Sequence, residues 1–221
     1  MNLIQEKISH ILSQIPPQVR LIAVSKTVSP EAIRAAYSAG IRDFAESRLQ
    51  EALEKQEQLQ DLSDICWHFI GHIQTNKAKK TLLYFHWLHS VDSLKLALHL
   101  NKLSRELNHA PEILLQVKLL PDPNKYGWSK TELLNDLARL NQCSHLKIRG
   151  LMTILPFGLS ENEQLKTFQN TQILAQEIQQ QKYSNIAMGE LSMGMSGDYL
   201  LAIQAGATMI RLGTIIFGAR Y

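Results

Sequence analysis

The run Leu21-Ile22-Ala23-Val24-Ser25-Lys26-Thr27 is an apolar, strand-like segment that ends abruptly in a lysine. A buried strand with an ammonium at its mouth places a potential nucleophile on rigid scaffold. Burial there would lower the lysine pKa and free the amine for Schiff-base chemistry. On this run alone, a solvated Lys26, one of 23 lysines and arginines, is the simpler reading. The rest of the chain decides between the two.

Outward from this run, strand-like and helix-like segments alternate. Before it, Leu3, Ile4, Ile8, Ile11, Leu12 and Ile15 recur at helical spacing until Pro16-Pro17 stops the pattern. The first strand reads as 19–24, and Pro30 with Glu31 opens a helix through Tyr37 that closes at Gly40. A second strand at 41–45 precedes a helix with Leu49, Ala52, Leu53 and Leu59 on one side. A third strand at 65–70 ends at Gly71, and a helix starts at Thr75. The fourth strand reads as 84–89, after which Ser90 to Ser93 lead into a helix carrying Leu96, Leu100, Leu103 and Leu107. Pro111 introduces a fifth strand at 113–117, and Pro121-Asp122-Pro123-Asn124 is a loop. Ser129 caps the next helix, with Glu132 placed for a capping box. A sixth strand at 148–154 is followed by a helix over about 160–181. The seventh strand reads as 190–193, with Ser196 as cap of a helix over 197–205; the eighth is 208–212, and Gly213 begins the last short helix.

Strict alternation implies parallel strands joined by right-handed crossovers. Eight units imply a closed (β/α)8 barrel of the TIM type with an extra N-terminal helix, formed by residues 1–221 as a single domain. An open doubly wound sheet is the rival, but no Gly-x-Gly-x-x-Gly follows the first strand. In a barrel, function sits at the C-terminal strand ends. Lys26 falls there, as do Glu46, His72, Asp92, Lys125, Ser192 and Arg211.

Composition narrows the function classes. A net charge of +3, with basic residues scattered apart from Lys77-Ala78-Lys79-Lys80, argues against nucleic-acid binding and makes that cluster a solvated helix face. Hydrophobic content of 45% with 19% charged residues describes a soluble globular protein. The N-terminus does not read as a signal peptide, and no apolar run approaches the roughly 18 residues of a membrane span. Cys66 and Cys143 show no metal-ligand spacing and read as buried thiols in a reducing compartment, so the cytoplasm is expected. His68 and His72 are separated by strand and glycine rather than a helical turn, so no metal pair is expected there. His86 and His89 read as hydrogen-bonded structural residues.

Two glycine- and serine-rich segments, Leu191-Ser192-Met193-Gly194-Met195-Ser196-Gly197-Asp198 and Arg211-Leu212-Gly213-Thr214, follow strands seven and eight. Each runs into a helix start, where free N–H groups suit a phosphate. The alternative is that the glycines only permit tight turns. A strand-end lysine opposite a phosphate site implies a ligand with a carbonyl at one end and phosphate at the other, such as pyridoxal 5′-phosphate or a sugar phosphate. A permanently charged Arg211 facing a pyridine nitrogen would keep it unprotonated and weaken the ring as an electron sink. An Arg211 paired with a barrel carboxylate is the structural alternative.

With Ala23-Val24-Ser25-Lys26-Thr27, Trp67-His68-Phe69-Ile70-Gly71-His72-Ile73-Gln74-Thr75-Asn76-Lys77, Arg149-Gly150-Leu151-Met152 and Leu191-Ser192-Met193-Gly194-Met195-Ser196, the chain resembles the pyridoxal phosphate homeostasis proteins. It looks like the cyanobacterial PipY members of this YggS/PROSC/PLPBP family. The resemblance runs over nearly the whole chain. It implies an alanine racemase N-terminal-type barrel with pyridoxal phosphate as an internal aldimine on Lys26, no known catalytic activity, and a role in vitamin B6 and amino/keto acid balance. By position, Arg211 would face the pyridine nitrogen, and Ser192, Ser196, Gly213 and Thr214 would form the phosphate side. The family's usual Gly-Glu-Asn appears here as Ala45-Glu46-Ser47, so a contact from the shorter serine to the ring is in doubt.

The enzyme alternative is a small racemase, which needs an acid/base on each face of the reacting carbon. The resembling racemases draw theirs, a tyrosine, from an additional C-terminal domain. This sequence ends at Tyr221, right after the eighth unit, and a terminal residue is poorly held. A cofactor-holding monomer is therefore expected, with pyridoxal phosphate-dependent apo-enzymes as candidate recipients. A phosphosugar lyase using a Schiff base is a more distant reading.

Overall fold

A parallel strand exposes two faces that both need apolar cover, one from neighbouring strands across a barrel and one from helices outside. The computed structural model, which describes residues 3–218, meets that need with eight parallel strands in one closed ring, ordered as in the sequence. The strands are β1 (Arg20–Val24), β2 (Asp43–Glu46), β3 (Cys66–Phe69) and β4 (Trp87–Val91). They continue with β5 (Glu112–Val117), β6 (Lys147–Thr153), β7 (Ile186–Ser192) and β8 (Met209–Leu212). Pairing of β1 with β8, from Arg20↔Met209 to Ala23↔Leu212, closes the barrel.

The extra N-terminal helix is α1 (Leu3–Gln14), which buries Ile8 and Ile11 and packs on α2 (Pro30–Ser38). The crossovers continue as α3 (Leu49–Gln58), α4 (Ala78–Tyr84), α5 (Leu94–Leu107) and α6 (Lys130–Asn141). Then come α7 (Glu161–Gln180), α8 (Tyr199–Gln204) and α9 (Thr214–Phe217). Ser129 and Ser160 each form a full capping box, with Glu132 and Glu163 respectively, so the chain enters α6 and α7 with its first N–H groups satisfied. Between barrel and helices lies a large apolar layer that includes Phe44, Leu88, Leu100 and Phe168. Inside the ring is a smaller cluster of Ile22, Val24, Ala45, Trp87, Leu114, Met152 and Met209.

Three local expectations are corrected. The fourth strand is Trp87–Val91 rather than 84–89, because α4 continues to Tyr84 on the buried residues Ala78, Thr81 and Leu82. Ser90, which read as part of the lead into the next helix, lies in the strand beside His89, and both are buried. The seventh strand begins at Ile186 rather than 190: Ile186 and Met188 are buried, but Gly189 and Glu190 interrupt their apolar pattern. Ser196 does not cap α8; Asp198 occupies that position without a side-chain cap, and the Asp198 carboxylate instead accepts from the Met195 N–H at 2.5 Å. The helix expected from Thr75 starts as a 3₁₀ turn, Thr75–Lys77, before α4. Lys77, Lys79 and Lys80 are exposed there.

Gly150 is required by backbone approach, since a Cβ at that position on β6 would lie 1.7 Å from the Glu190 carbonyl oxygen on β7. Gly150→Ala must therefore push these paired strands away from each other, and we expect a loss of about 3 kcal/mol in denaturant unfolding. An unchanged midpoint and slope would contradict this close approach.

Candidate functional site

The strand ends converge because parallel strands in a closed ring all finish on one rim. Lys26 follows β1 by two residues, half-buried, in a turn where Thr27 adopts φ 61°. A buried cluster clamps that turn from below. Ser25 Oγ donates to Glu46 Oε1 at 2.7 Å, and Lys55 Nζ, from α3, donates to the same oxygen at 2.9 Å and to the Ser25 carbonyl at 2.7 Å. Glu51 receives both Lys55 Nζ, at 2.5 Å, and the Thr27 N–H. Burial pushes the Glu46 carboxyl up from its ordinary pKa, while hydrogen bonding to Lys55 pulls the other way. Glu46, expected among the strand-end candidates, thus supports the Lys26 turn and does not line the cavity beside it.

That cavity, of about 360 Å³, is lined by Lys26, Arg211, Ser196, Gly213 and Thr214, with Val24, Ser47, Ile70, Ile154, Met195 and Gly197. Five of the six residues named in the sequence for the cofactor therefore share one space. Ser192 does not line it. It is fully buried beneath Arg211, where its hydroxyl accepts from Arg211 Nη1 at 2.7 Å and meets His89 Nδ1 at 2.8 Å. Arg211 Nη2 donates to the Thr153 carbonyl at 2.9 Å. The barrel-carboxylate alternative is not realised: among the described residues no salt bridge to Arg211 is found. Burial lowers the Arg211 pKa to about 10, which leaves it a cation at neutral pH.

Across the cavity, among the residues expected to meet a phosphate, the Gly213 N–H donates to Ser196 Oγ at 3.4 Å. The helices behind these loops have only six and four residues, so N–H and hydroxyl groups matter there more than a macrodipole.

Ser47 lines this cavity and also an adjoining cleft of about 410 Å³, which carries Arg48, His72, Gln74 and Lys77. Gly71 allows the two loops to meet, because a Cβ there would lie 2.1 Å from the Ser47 carbonyl oxygen. The other strand-end candidates form the rim. His72 bonds Asp92 at 2.9 Å and stacks on Tyr126 with centroids 3.8 Å apart, and Lys125 pairs with Asp122 at 2.8 Å.

His68 is elsewhere, inside the barrel. Its Nδ1 lies 2.9 Å from His89 Nε2 and its Nε2 2.8 Å from Asp43 Oδ1. His86 Nδ1 accepts from the Trp67 N–H at 2.9 Å, so His86 and His89 are both hydrogen-bonded. Ligand atoms of Asp43, Cys66 and His68 lie within 4.8 Å of one another, a grouping that residue spacing does not reveal. The Arg20 guanidinium, 3.9 Å from Asp43, opposes a cation there, and burial raises the Cys66 thiol to about 12. Cys66 is half-buried rather than buried as expected; Cys143 is buried, and both are free thiols. Tyr221 lies outside the described residues.

Residues 1–221 match the alanine racemase N-terminal domain family. The pyridoxal phosphate homeostasis protein of Synechocystis sp. is 57% identical over 212 residues, which cover 96% of each chain. This chain belongs to the pyridoxal phosphate homeostasis protein family. The Escherichia coli member is 36% identical over 93% of this chain and 87% of its own. The structure of PipY from Synechococcus elongatus with pyridoxal phosphate bound superimposes with a TM-score of 0.93 at 48% identity, covering 97% of this chain and all of that one. An alanine racemase of Clostridium difficile, at 13% identity and a TM-score of 0.82, shares the fold over 98% of this chain and 56% of its own.

Sequence reasoning missed Ile70, Ile154 and Met195, apolar walls whose only signal was their place just past a strand. In this family member, burial lowers the pKa of His68 and His89 below the ordinary histidine value of 6.5. The unfolded chain therefore takes up protons that the folded one refuses as pH falls below about 6.5. Stability is present above that value and should decline below it, by up to about 1.4 kcal/mol per pH unit for each imidazole. Urea titrations from pH 7.5 to 5 check this, and a His89→Gln variant should show a shallower decline.

Proposed function

We propose that this chain holds pyridoxal 5′-phosphate covalently through Lys26 and serves as a reversible intracellular store of the cofactor. The observation that carries the reading is the single cavity shared by Lys26, Arg211, Ser196, Gly213 and Thr214. When bound, pyridoxal phosphate supplies an aldehyde that a lysine amine can capture reversibly. The residues fit the group: a half-buried amine at one end, hydroxyl and N–H donors at the other, and a fixed cation between apolar walls. Ser196, Gly213 and Thr214 hold the phosphate, and Arg211 faces the ring nitrogen. Ser192 acts one layer back, through Arg211. The serine at position 47 leaves more room beside the ring than the asparagine usual in the family.

Arg211 keeps its charge, so it opposes a proton on the ring nitrogen and disfavours carbanion chemistry. This supports a holder over a racemase, as do the names of the similar proteins. Free thiols at Cys66 and Cys143, and the absence among the described residues of a helix long and apolar enough to cross a membrane, suit a place in the cytoplasm. Apo-enzymes that need the cofactor are the recipients this role calls for.

Purified protein mixed with pyridoxal phosphate should turn yellow, and borohydride should fix the cofactor to Lys26 in peptide mapping. Lys26→Ala should abolish the absorption band; a spectrum that ignores added cofactor would sink the proposal. Incubation of the loaded protein with single L-amino acids in deuterated water should show no catalytic α-proton exchange. Rapid exchange would establish the racemase reading instead.

A further inference from the structure

We infer that Asp43, His68, His89 and Ser192 form a one-way hydrogen-bond chain through the barrel interior that positions Arg211. The four residues come from β2, β3, β4 and β7, and the chain ends on β8, so it crosses the ring from one wall to the other. Successive distances are 2.8 Å for Asp43 Oδ1 to His68 Nε2 and 2.9 Å for His68 Nδ1 to His89 Nε2. They continue at 2.8 Å for His89 Nδ1 to Ser192 Oγ and 2.7 Å for Ser192 Oγ to Arg211 Nη1. His68, His89 and Ser192 are fully buried.

The direction follows from the two ends. A carboxylate only accepts, so His68 Nε2 carries the proton toward Asp43. A neutral His68 then accepts at Nδ1, which makes His89 Nε2 the donor and His89 Nδ1 an acceptor. The Ser192 hydroxyl must donate to His89, and its lone pair is left for Arg211, which only donates. Each group has one role, and none is left unpaired. The reverse order would set a bare His68 nitrogen against a carboxylate. A doubly protonated imidazole would add a cation to an interior that already holds Arg211.

Arg211 is therefore gripped at two points, by Ser192 Oγ and by the Thr153 carbonyl, and the plane of its guanidinium is fixed before any ligand arrives. Nothing in Asp43, His68 or His89 lines the cavity, so these are positioning residues for the group that does. The chain stands on the protein's own geometry; its effect on the cofactor rests on the reading of the cavity given above.

Histidine-labelled full-length protein, without added cofactor, tests the direction by two-bond ¹⁵N–¹H correlation. His68 and His89 should both be neutral at pH 7.5 with the proton on Nε2. A proton on Nδ1 of either ring, or an imidazolium, would overturn the chain. The positioning role is read with pyridoxal phosphate itself: Ser192→Ala should shift the absorption band of the bound cofactor and weaken binding about tenfold. Ser192→Thr, which keeps the hydroxyl, should restore both. Wild-type affinity and an unshifted band in Ser192→Ala would overturn the positioning role. A wild-type spectrum that ignores the cofactor would remove the reading of the cavity, while the tautomer measurement still decides the chain.

Discussion

Closure of β1 onto β8 is the constraint on which the site depends. Their register sets Ile22 beside Arg211 and Ala23 beside Leu212, so two segments nearly the whole chain apart become neighbours. Because the strands are parallel, both run out onto the same rim. Lys26 then stands over the first turn and Gly213 with Thr214 over the last, facing one cavity. An open sheet would leave β1 and β8 at its edges, with a guanidinium and unpaired backbone groups to cover.

The interior of such barrels is usually filled with branched apolar side chains. Here the apolar filling of Ile22, Val24, Leu114, Met152 and Met209 is crossed by a path of polar groups from Asp43 to Arg211. Every polar group on that path is satisfied by its neighbour, the condition under which a buried network rigidifies instead of weakening a core. The path leads to the guanidinium at the inner end of the cavity. Burial that would be costly for stability alone makes sense where a guanidinium must be held in one pose.

Around Lys26 the same logic operates at shorter range. Glu46, Lys55 and Glu51 hold the strand end and the turn after it, with Thr27 kept at a positive φ that a β-branched residue rarely adopts. The amine is thus borne on a rigid loop, while hydroxyl and N–H donors wait across the cavity.

Much of this was legible in the residues. The alternation of apolar runs with helical periodicity specified eight βα units, and their number, with no Gly-x-Gly-x-x-Gly after the first strand, favoured a ring over an open sheet. The order of those units placed Lys26, Ser196, Gly213 and Thr214 past their strands and Arg211 within the end of the last one, positions that follow from sequence alone. What sequence could not express was pairing across the barrel. Ser90 read as the way out of the fourth strand because polarity signals solvent unless a partner is known, and His89 read as hydrogen-bonded without its partners, His68 and Ser192, which lie on other strands. The resemblance put Ser192 on the phosphate side; at the end of β7 its hydroxyl instead meets His89 and Arg211 inside the ring. The sequence by itself determined the scaffold and which residues reach its functional end. Only the tertiary structure decided which of them share the cavity and which stand behind it, since that depends on inward or outward direction and on contacts between residues far apart in the chain.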